Sequence, residues 1–190
     1  MPSRSRQEWI TIRSRSLDEI LAAHQGLGGT GRGRRFATQQ VNYAYGVLLS
    51  SQFQGFCRDL HSESVELLVQ GINSTTLRSA CNEAFTRGRK LDFGNPNPGN
   101  IGNDFNLMGV AFWTKVIALS PLNTARRNRL EDLNLWRNAI AHQDFSKTPG
   151  GSKLRLAQVA VWRRTCNHLV RAFDRVMQAH IGSVTGIAPW

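Results

Sequence analysis

The sequence contains no apolar run that approaches the about 20 residues needed to cross a lipid bilayer. Its opening segment, MPSRSRQEWITIRSRS, is too polar to form the apolar centre of a signal peptide. These two absences argue against a membrane partner. We therefore expect a cytoplasmic protein.

Cysteine is also scarce. Cys57, Cys81 and Cys166 are far apart and form no CxxC pair, which argues against both a disulfide framework and a zinc knuckle. Cys57 and His61 are four residues apart and would share a helix face, but no second pair has the spacing of a zinc site. The sequence therefore predicts no metal and no cofactor.

One glycine pattern needs separate attention. Gly26, Gly28 and Gly31 form a GxGxxG match, but the dinucleotide-binding motif requires a strand before it and a helix directly after it. Here a predicted helix precedes the glycines, and no GK[ST] sequence follows. We interpret the stretch as a basic loop.

Acidic residues are few in comparison with basic ones. The chain has 13 Asp and Glu against 24 Lys and Arg, which gives a net charge of +11, and 20 of the basic residues are arginine. Such an excess favours a polyanionic partner, and the forked guanidinium group favours phosphate in particular. A polyanion such as RNA is therefore the expected partner, and an anionic membrane surface and a merely basic surface are the alternatives.

Strand patterns are absent except for the short WITIR, which we do not interpret as a strand. Apolar residues instead recur at three- and four-residue steps, first from about Ala37 to Gly71, then after Ser74, and then after Asn103 or Asp104. A fourth helix follows Pro121 and a last one carries Val159 to Val176. The sequence predicts an all-α bundle of four to five helices, with no regular element through DFGNPNPGNIGNDF.

Three regions are predicted. Residues 1–36 form a basic Gly/Arg-rich arm with a short helix, since Ser16 and Glu19 make a capping box, and removal of the arm should lower RNA affinity. Residues 37–182 form the helical domain and residues 183–190 a tail. We expect RNA contacts from basic residues of the arm and of the second helix's end: Arg32, Arg34, Arg35, Arg87, Arg89 and Lys90.

The candidate catalytic group is Arg137, Asn138 and His142 at the end of the fourth helix. Arg163 and Arg175 also precede a histidine by five residues, but only His142 has an asparagine four residues before it and lies at a helix end. Residues five apart in a helix point about 140° apart, so Arg137 and His142 can share a phosphate only at a helix distortion or across a dimer. Alternatively, Arg137 pairs with a carboxylate such as Glu131 or Asp132 and His142 caps the helix.

The segment RNAIAH resembles the Arg-x4-6-His signature of the HEPN superfamily (higher eukaryotes and prokaryotes nucleotide-binding). The long helix VNYAYGVLLSSQFQGFCRDLHSESVELL, the loop GNPNPGNIGNDF and the final helix extend the likeness to the RiboL-PSP-HEPN branch over roughly residues 36–182. The resemblance implies a helical bundle that forms a homodimer. It also implies a metal-independent endoribonuclease of toxin or phage-defence type, with an antitoxin or another system protein as a further candidate partner.

The resemblance also implies roles for single residues. His142 would transfer protons at the ribose 2′-hydroxyl or the leaving 5′-oxygen, Arg137 would stabilise negative charge on the phosphate, and Asn138 would position the histidine or the phosphate. Two positions depart from the family pattern, because Gln54 replaces an acidic residue and Asp144 replaces a tyrosine that is frequent in relatives. Some members of the superfamily are inactive and serve as binding or interaction modules, which is the alternative function.

Overall fold

The computed structural model describes residues 1–27 and 35–190, and every regular element in this part of the chain is helical. The prediction of an all-α fold is confirmed. The helices are α1 (Arg4–Glu8), α2 (Ser14–Leu27), α3 (Arg35–Val69), α4 (Thr75–Thr86), α5 (Lys90–Phe93), α6 (Pro98–Asn106), α7 (Phe112–Ala118), α8 (Leu122–His142) and α9 (Leu156–Thr185). A π-helical turn (Trp9–Arg13) joins α1 to α2.

The core lies where α3 packs against α8 and α9. Phe173 of α9 is at its centre, with its ring against Phe53 and Phe56 of α3 and against Phe105 and Phe112 from α6 and α7. All five rings are fully buried. Burial of each contributes about 1.5–3 kcal/mol, so the aromatic cluster dominates the packing that holds the long helices together.

Four of the five helices predicted for the bundle are confirmed as α3, α4, α8 and α9. Ser74 caps α4 as expected, since its Oγ accepts a hydrogen bond from the Leu77 backbone N–H at 3.3 Å. Across residues 1–27 and 35–190, no helix combines the length and apolar character required for a bilayer crossing.

The N-terminal segment differs from the predicted arm over its described part. Helix starts at Arg4 rather than Ser16, and Trp9 is buried with its ring edge-on to Phe53 and Phe56. WITIR is therefore the helical turn that inserts a tryptophan into the core. The burial of Trp9 explains the difference, because a tertiary contact fixes a segment whose local pattern is weak.

Two buried carboxylates hold the start of α1. Glu63 of α3 accepts hydrogen bonds from the backbone N–H groups of Arg4 and Ser5, each at 2.9 Å. Asp174 of α9 accepts from the Ser3 backbone N–H at 3.0 Å and pairs with Arg6 at 3.0 Å. Acidic groups at a helix N-terminus satisfy its free N–H groups and complement its dipole.

The asparagine- and proline-rich segment contains a helix, contrary to the prediction. Pro98 occupies the first turn of α6, where its missing N–H costs nothing, and the Asn97 side chain accepts from the Asn100 N–H at 2.8 Å. The predicted third helix is interrupted at Gly109, whose φ is +79°, and resumes as α7. Asp104 does not start that helix but accepts from the N–H groups of Lys90 and Leu91 at the start of α5, each at 2.8 Å.

Candidate functional site

Helix α8 ends directly after His142. Gln143 adopts the left-handed conformation (φ 54°), and the Asp144 N–H donates to the Ala139 carbonyl at 3.0 Å, which is the pattern of a Schellman cap. The Gln143 side chain also donates to the Ile140 carbonyl at 2.8 Å. Gln143, rather than His142, therefore caps the helix, and the imidazole of His142 is left exposed.

The helix is regular from Leu122 through His142. Arg137 and His142 therefore point about 140° apart within one chain, and the distortion that could bring them together does not occur. Of the two geometries that would let them share a phosphate, only the approach of two copies is left.

Arg137 is half-buried and donates to the side-chain oxygen of Asn138 at 3.3 Å. The carboxylate of Asp132 is engaged elsewhere, since its Oδ2 accepts from Trp162 Nε1 at 2.9 Å and from Gln158 Nε2 at 3.1 Å. Among the residues that the structure describes, Arg137 forms no ion pair with Asp132, with Glu131 or with any other acid. Within the described residues, no acidic side chain therefore neutralises the charge of its guanidinium group.

Asn138 joins α8 to the loop before α6. Its Oδ1 accepts a hydrogen bond from Asn95 Nδ2 at 2.5 Å in addition to the bond from Arg137. One turn earlier on α8, Asn134 Nδ2 donates to the Pro96 carbonyl at 3.1 Å. The two α8 asparagines, spaced by four, therefore attach the same loop to the helix that carries the motif.

Gln54 of α3 also binds the segment that leads into this loop. Its Nε2 donates to the carbonyls of Leu91 at 2.6 Å and Gly94 at 2.9 Å. Gln54 is the residue that differs from the HEPN-type pattern which the sequence resembles, and in this structure it positions Gly94, which precedes Asn95. An acidic side chain, which has no N–H to donate, could not make these two bonds when ionised.

The negative charge nearest in sequence to His142 is Asp144. Hydrogen bonds from the side chain and backbone of Ser146 hold the pKa of Asp144 below its ordinary value, and the positive charges of Lys147 and His142 act in the same direction. The imidazole of His142 itself makes no hydrogen bond with residues 1–27 or 35–190. It is therefore available to an incoming group.

The predicted basic patch at the end of α4 is only partly formed. Arg87 and Lys90 are exposed, and Arg87 lies 3.7 Å from Glu83. Arg89 is buried instead, and it pairs with Asp92 at 2.9 Å and donates to Ser62 Oγ at 2.9 Å, so it does not form an RNA-binding surface. The reason is that α5 folds back on α3 and encloses this side chain. Arg32 and Arg34 lie outside the described residues, and so does the side chain of Arg35.

His61 and Cys57 are parts of the core. His61 Nε2 donates to the Asp104 carbonyl at 3.2 Å, and its Nδ1 faces Arg89 Nη1 at 3.4 Å. Burial and the charge of Arg89 lower the pKa of His61 to about 4. Burial likewise raises the pKa of the Cys57 thiol. A neutral, enclosed histidine of this kind has no access to substrate.

The two other Arg/His pairs have structural partners. Arg163 pairs with Asp18 at 2.7 Å and donates to the Tyr45 hydroxyl at 3.1 Å. His180 donates to the Met108 carbonyl at 2.9 Å. Within each of these two pairs, one member therefore has a structural role, which is Arg163 in the first pair and His180 in the second.

The sequence does not predict Asn95 and Asn134 as parts of the site. The only signal for them is compositional: a loop rich in asparagine, together with asparagines spaced by four on α8. No protein-family model, no curated protein and no solved structure matches this chain.

Proposed function

We propose that this chain is a metal-independent endoribonuclease of HEPN type, in which Arg137, Asn138 and His142 line a cleft between two copies of the chain. The proposal keeps the expectation of a toxin or phage-defence protein with RNA as its substrate. One observation carries it: at one end of α8, the RNAIAH segment places a guanidinium without an acidic partner among the described residues, an oriented amide and an exposed imidazole.

The chemistry requires one proton acceptor, one proton donor and a stabiliser of negative charge. His142 of one copy takes the proton from the ribose 2′-hydroxyl, and the 2′-oxygen then forms a bond to phosphorus. The bond from phosphorus to the 5′-oxygen breaks, and this oxygen receives a proton from a water molecule, while Arg137 of the second copy stabilises the charge on the phosphate. The products are a 2′,3′-cyclic phosphate and a 5′-hydroxyl end.

Arg137 and Asn138 have supporting roles in this scheme. The guanidinium donates to the non-bridging phosphate oxygens, where negative charge increases in the transition state. Asn138 keeps Arg137 in place through the bond to its Oδ1, and Asn95 fixes Asn138 in turn. A fixed donor is more effective than a mobile one, because no reorganisation is needed during the reaction.

The second candidate is an inactive RNA-binding or interaction module of the same fold. It is favoured by the regular course of α8, because Arg137 and His142 of one chain point to different sides. A chain that stays monomeric would therefore bind RNA through its basic surface without cleaving it.

The experiment is incubation of the purified chain with single-stranded RNA in EDTA, followed by analysis of the ends. Cleavage that leaves cyclic-phosphate ends is expected, and His142→Ala should abolish it while thermal unfolding and RNA binding are retained. His24→Ala, a histidine substitution on α2, is the matched control. Cleavage by His142→Ala would exclude this site, and RNA binding without cleavage by the unaltered chain would favour the inactive module.

A further inference from the structure

A small basic pocket lies at the opposite end of α8 from the RNAIAH segment. It has a volume of about 200 Å³ and is enclosed by the corner between α7 and α8 and by the middle of α9. Its polar lining residues are Ser120, Asn123, Arg126, His168, Arg171 and Arg175. Arg126 and Arg137 are separated by about 16 Å along the α8 axis, so this pocket is distinct from the proposed cleavage site.

The pocket is part of a basic stripe along α9. Arg164, His168, Arg171 and Arg175 follow one another at steps of four, three and four residues, so they share one face of the helix. All four are exposed, whereas Leu169, Val170 and Phe173 on the other side are buried. The stripe is about 16 Å long and therefore extends beyond the pocket by one turn, to Arg164.

No carboxylate neutralises this stripe within the described part of the chain. Arg6, Arg13, Arg58, Arg89 and Arg163 all pair with an acid, but Arg126, Arg164, Arg171 and Arg175 do not. The acidic residue on α9 is Asp174, which is buried and bound to Ser3 and Arg6. The fold thus supplies counter-ions to other arginines and leaves these without one.

Two further observations support a site for an anion. Arg126 Nη1 donates to Asn123 Oδ1 at 2.7 Å, which holds this guanidinium at the edge of the pocket. Burial lowers the pKa of His168, and the positive charges of Arg126 and Arg171 lower it further. The basic side chains are therefore close enough to repel one another, and a bound anion would relieve that repulsion.

We propose that this pocket binds a backbone phosphate of an RNA strand, and that the α9 stripe binds the neighbouring phosphate towards Arg164. The forked guanidinium groups of Arg126, Arg171 and Arg175 suit the tetrahedral oxygens of phosphate. A polymer is favoured over a single phosphate because the charges continue in a line beyond the pocket. The proposal rests on RNA as the substrate class but not on cleavage.

The test measures RNA binding in full-length chain that carries His142→Ala, so that cleavage does not enter. Binding of a labelled single-stranded oligoribonucleotide is followed by fluorescence anisotropy over a series of KCl concentrations. Arg171→Gln/Arg175→Gln should raise Kd by about tenfold or more, and the slope of log Kd against log salt concentration should fall by about 0.7 for each phosphate that is no longer neutralised. Arg171→Lys/Arg175→Lys should retain most of the salt dependence but bind more weakly than the parent, because it keeps the charge without the fork.

The control is Arg15→Gln, which removes one charge from an exposed arginine that pairs with Glu19 on α2. Thermal unfolding of all variants confirms that they fold, which is expected because Arg171 and Arg175 are exposed. Unchanged RNA affinity and salt dependence in Arg171→Gln/Arg175→Gln would overturn the proposal. If the unaltered chain does not cleave RNA but these variants still bind RNA more weakly, the pocket stands and the proposed cleavage fails.

Two more probes test whether the phosphate that the pocket binds belongs to RNA, to free inorganic phosphate or to a lipid headgroup. Inorganic phosphate should compete with RNA only weakly, and phosphatidylserine vesicles should bind the parent and the Arg171→Gln/Arg175→Gln variant alike. Vesicle binding that disappears in the variant, with RNA binding retained, would assign the pocket to a lipid surface and overturn an RNA site. Tight binding of inorganic phosphate without any effect on RNA would overturn the strand-binding role.

Discussion

Asn95 donates its side-chain amide to the side-chain oxygen of Asn138 at 2.5 Å, and this bond joins the loop before α6 to the helix that carries RNAIAH. Because the same oxygen of Asn138 accepts from Arg137, the loop influences the guanidinium through one shared atom. Gln54 of α3 holds the start of the loop through the Gly94 carbonyl. The position of Arg137 therefore depends on residues of three separate segments.

Loss of this bond should reduce cleavage more than stability. In Asn95→Ala, Asn138 and Arg137 lose their fixed position, and we expect kcat to fall by about tenfold to a hundredfold with KM nearly unchanged. The free energy of unfolding should fall by only about 1 kcal/mol, since the bond is only partly buried. Single-turnover cleavage and urea unfolding measure the two effects.

Asn128→Ala provides the comparison, because Asn128 is an exposed asparagine on α8 outside the motif. It should leave both kcat and stability unaltered. If Asn95→Ala cleaves as fast as Asn128→Ala, Asn95 has no positioning role.

The sequence predicts the long helices well, because α3, α8 and α9 carry apolar residues at helical spacing over many turns. It fails where a tertiary contact decides the structure. Trp9 lies in a segment with only a weak helical pattern, and its burial against Phe53 and Phe56 becomes visible only when α3 is in place.

The residues of the candidate site likewise fall into two groups: those that local sequence spacing predicts and those that only tertiary packing brings to the site. RNAIAH is found from local spacing, since Asn138 and His142 are four residues apart at a helix end. The contact of Asn95 with Asn138 arises only when distant segments pack together, and so does the contact of Gln54 with Gly94. No local sequence pattern predicts either contact. The prediction for Arg89 is wrong for the same reason: a run of basic residues does not tell which side chain will be enclosed by a later helix.

His61 should make stability depend on pH. Its pKa is lowered to about 4, first by burial and then by the charge of Arg89, while Asp92 and the Asp104 carbonyl act in the opposite direction. The unfolded chain therefore binds a proton near pH 6.5 that the folded chain does not, so this contribution to stability is present above that pH and is lost as pH falls. Between pH 8 and pH 5 we expect a loss of about 2 kcal/mol from this residue.

Urea unfolding at several pH values measures this loss. His61→Gln, which does not titrate, should be less stable at pH 8 but should have a flatter profile between pH 8 and pH 5. Parallel profiles for the two proteins would mean that His61 is not the titrating group.

Trp9→Ala should destabilise the chain by about 3–5 kcal/mol, because it removes a buried ring and the bond from Trp9 Nε1 to Asn167 at 2.9 Å. Ile10→Ala, at the next position, should cost much less, since Ile10 is 56% exposed. Thermal unfolding of the two variants checks the difference. Equal unfolding temperatures would contradict the packing of residues 1–27 on α3. A large difference would show that deletion of residues 1–35 destabilises the fold, so that this deletion could not be used to test whether the segment binds RNA.

The orientation of Arg137 and His142 on a regular helix predicts complementation between two inactive variants. Arg137→Ala and His142→Ala should each be inactive alone, because each copy of the chain lacks one partner of the reaction. In a mixed dimer, Arg137 of one copy and His142 of the other are both intact, so about half of the normal activity should return if the cleft combines residues from two copies. The two variants carry different affinity tags, are co-expressed, and are purified through both tags in sequence, and RNA cleavage by this mixed dimer is compared with that of each variant alone. No recovery in a verified mixed dimer would mean that Arg137 and His142 do not act across a two-copy cleft, and would leave the inactive RNA-binding module as the better account of the fold.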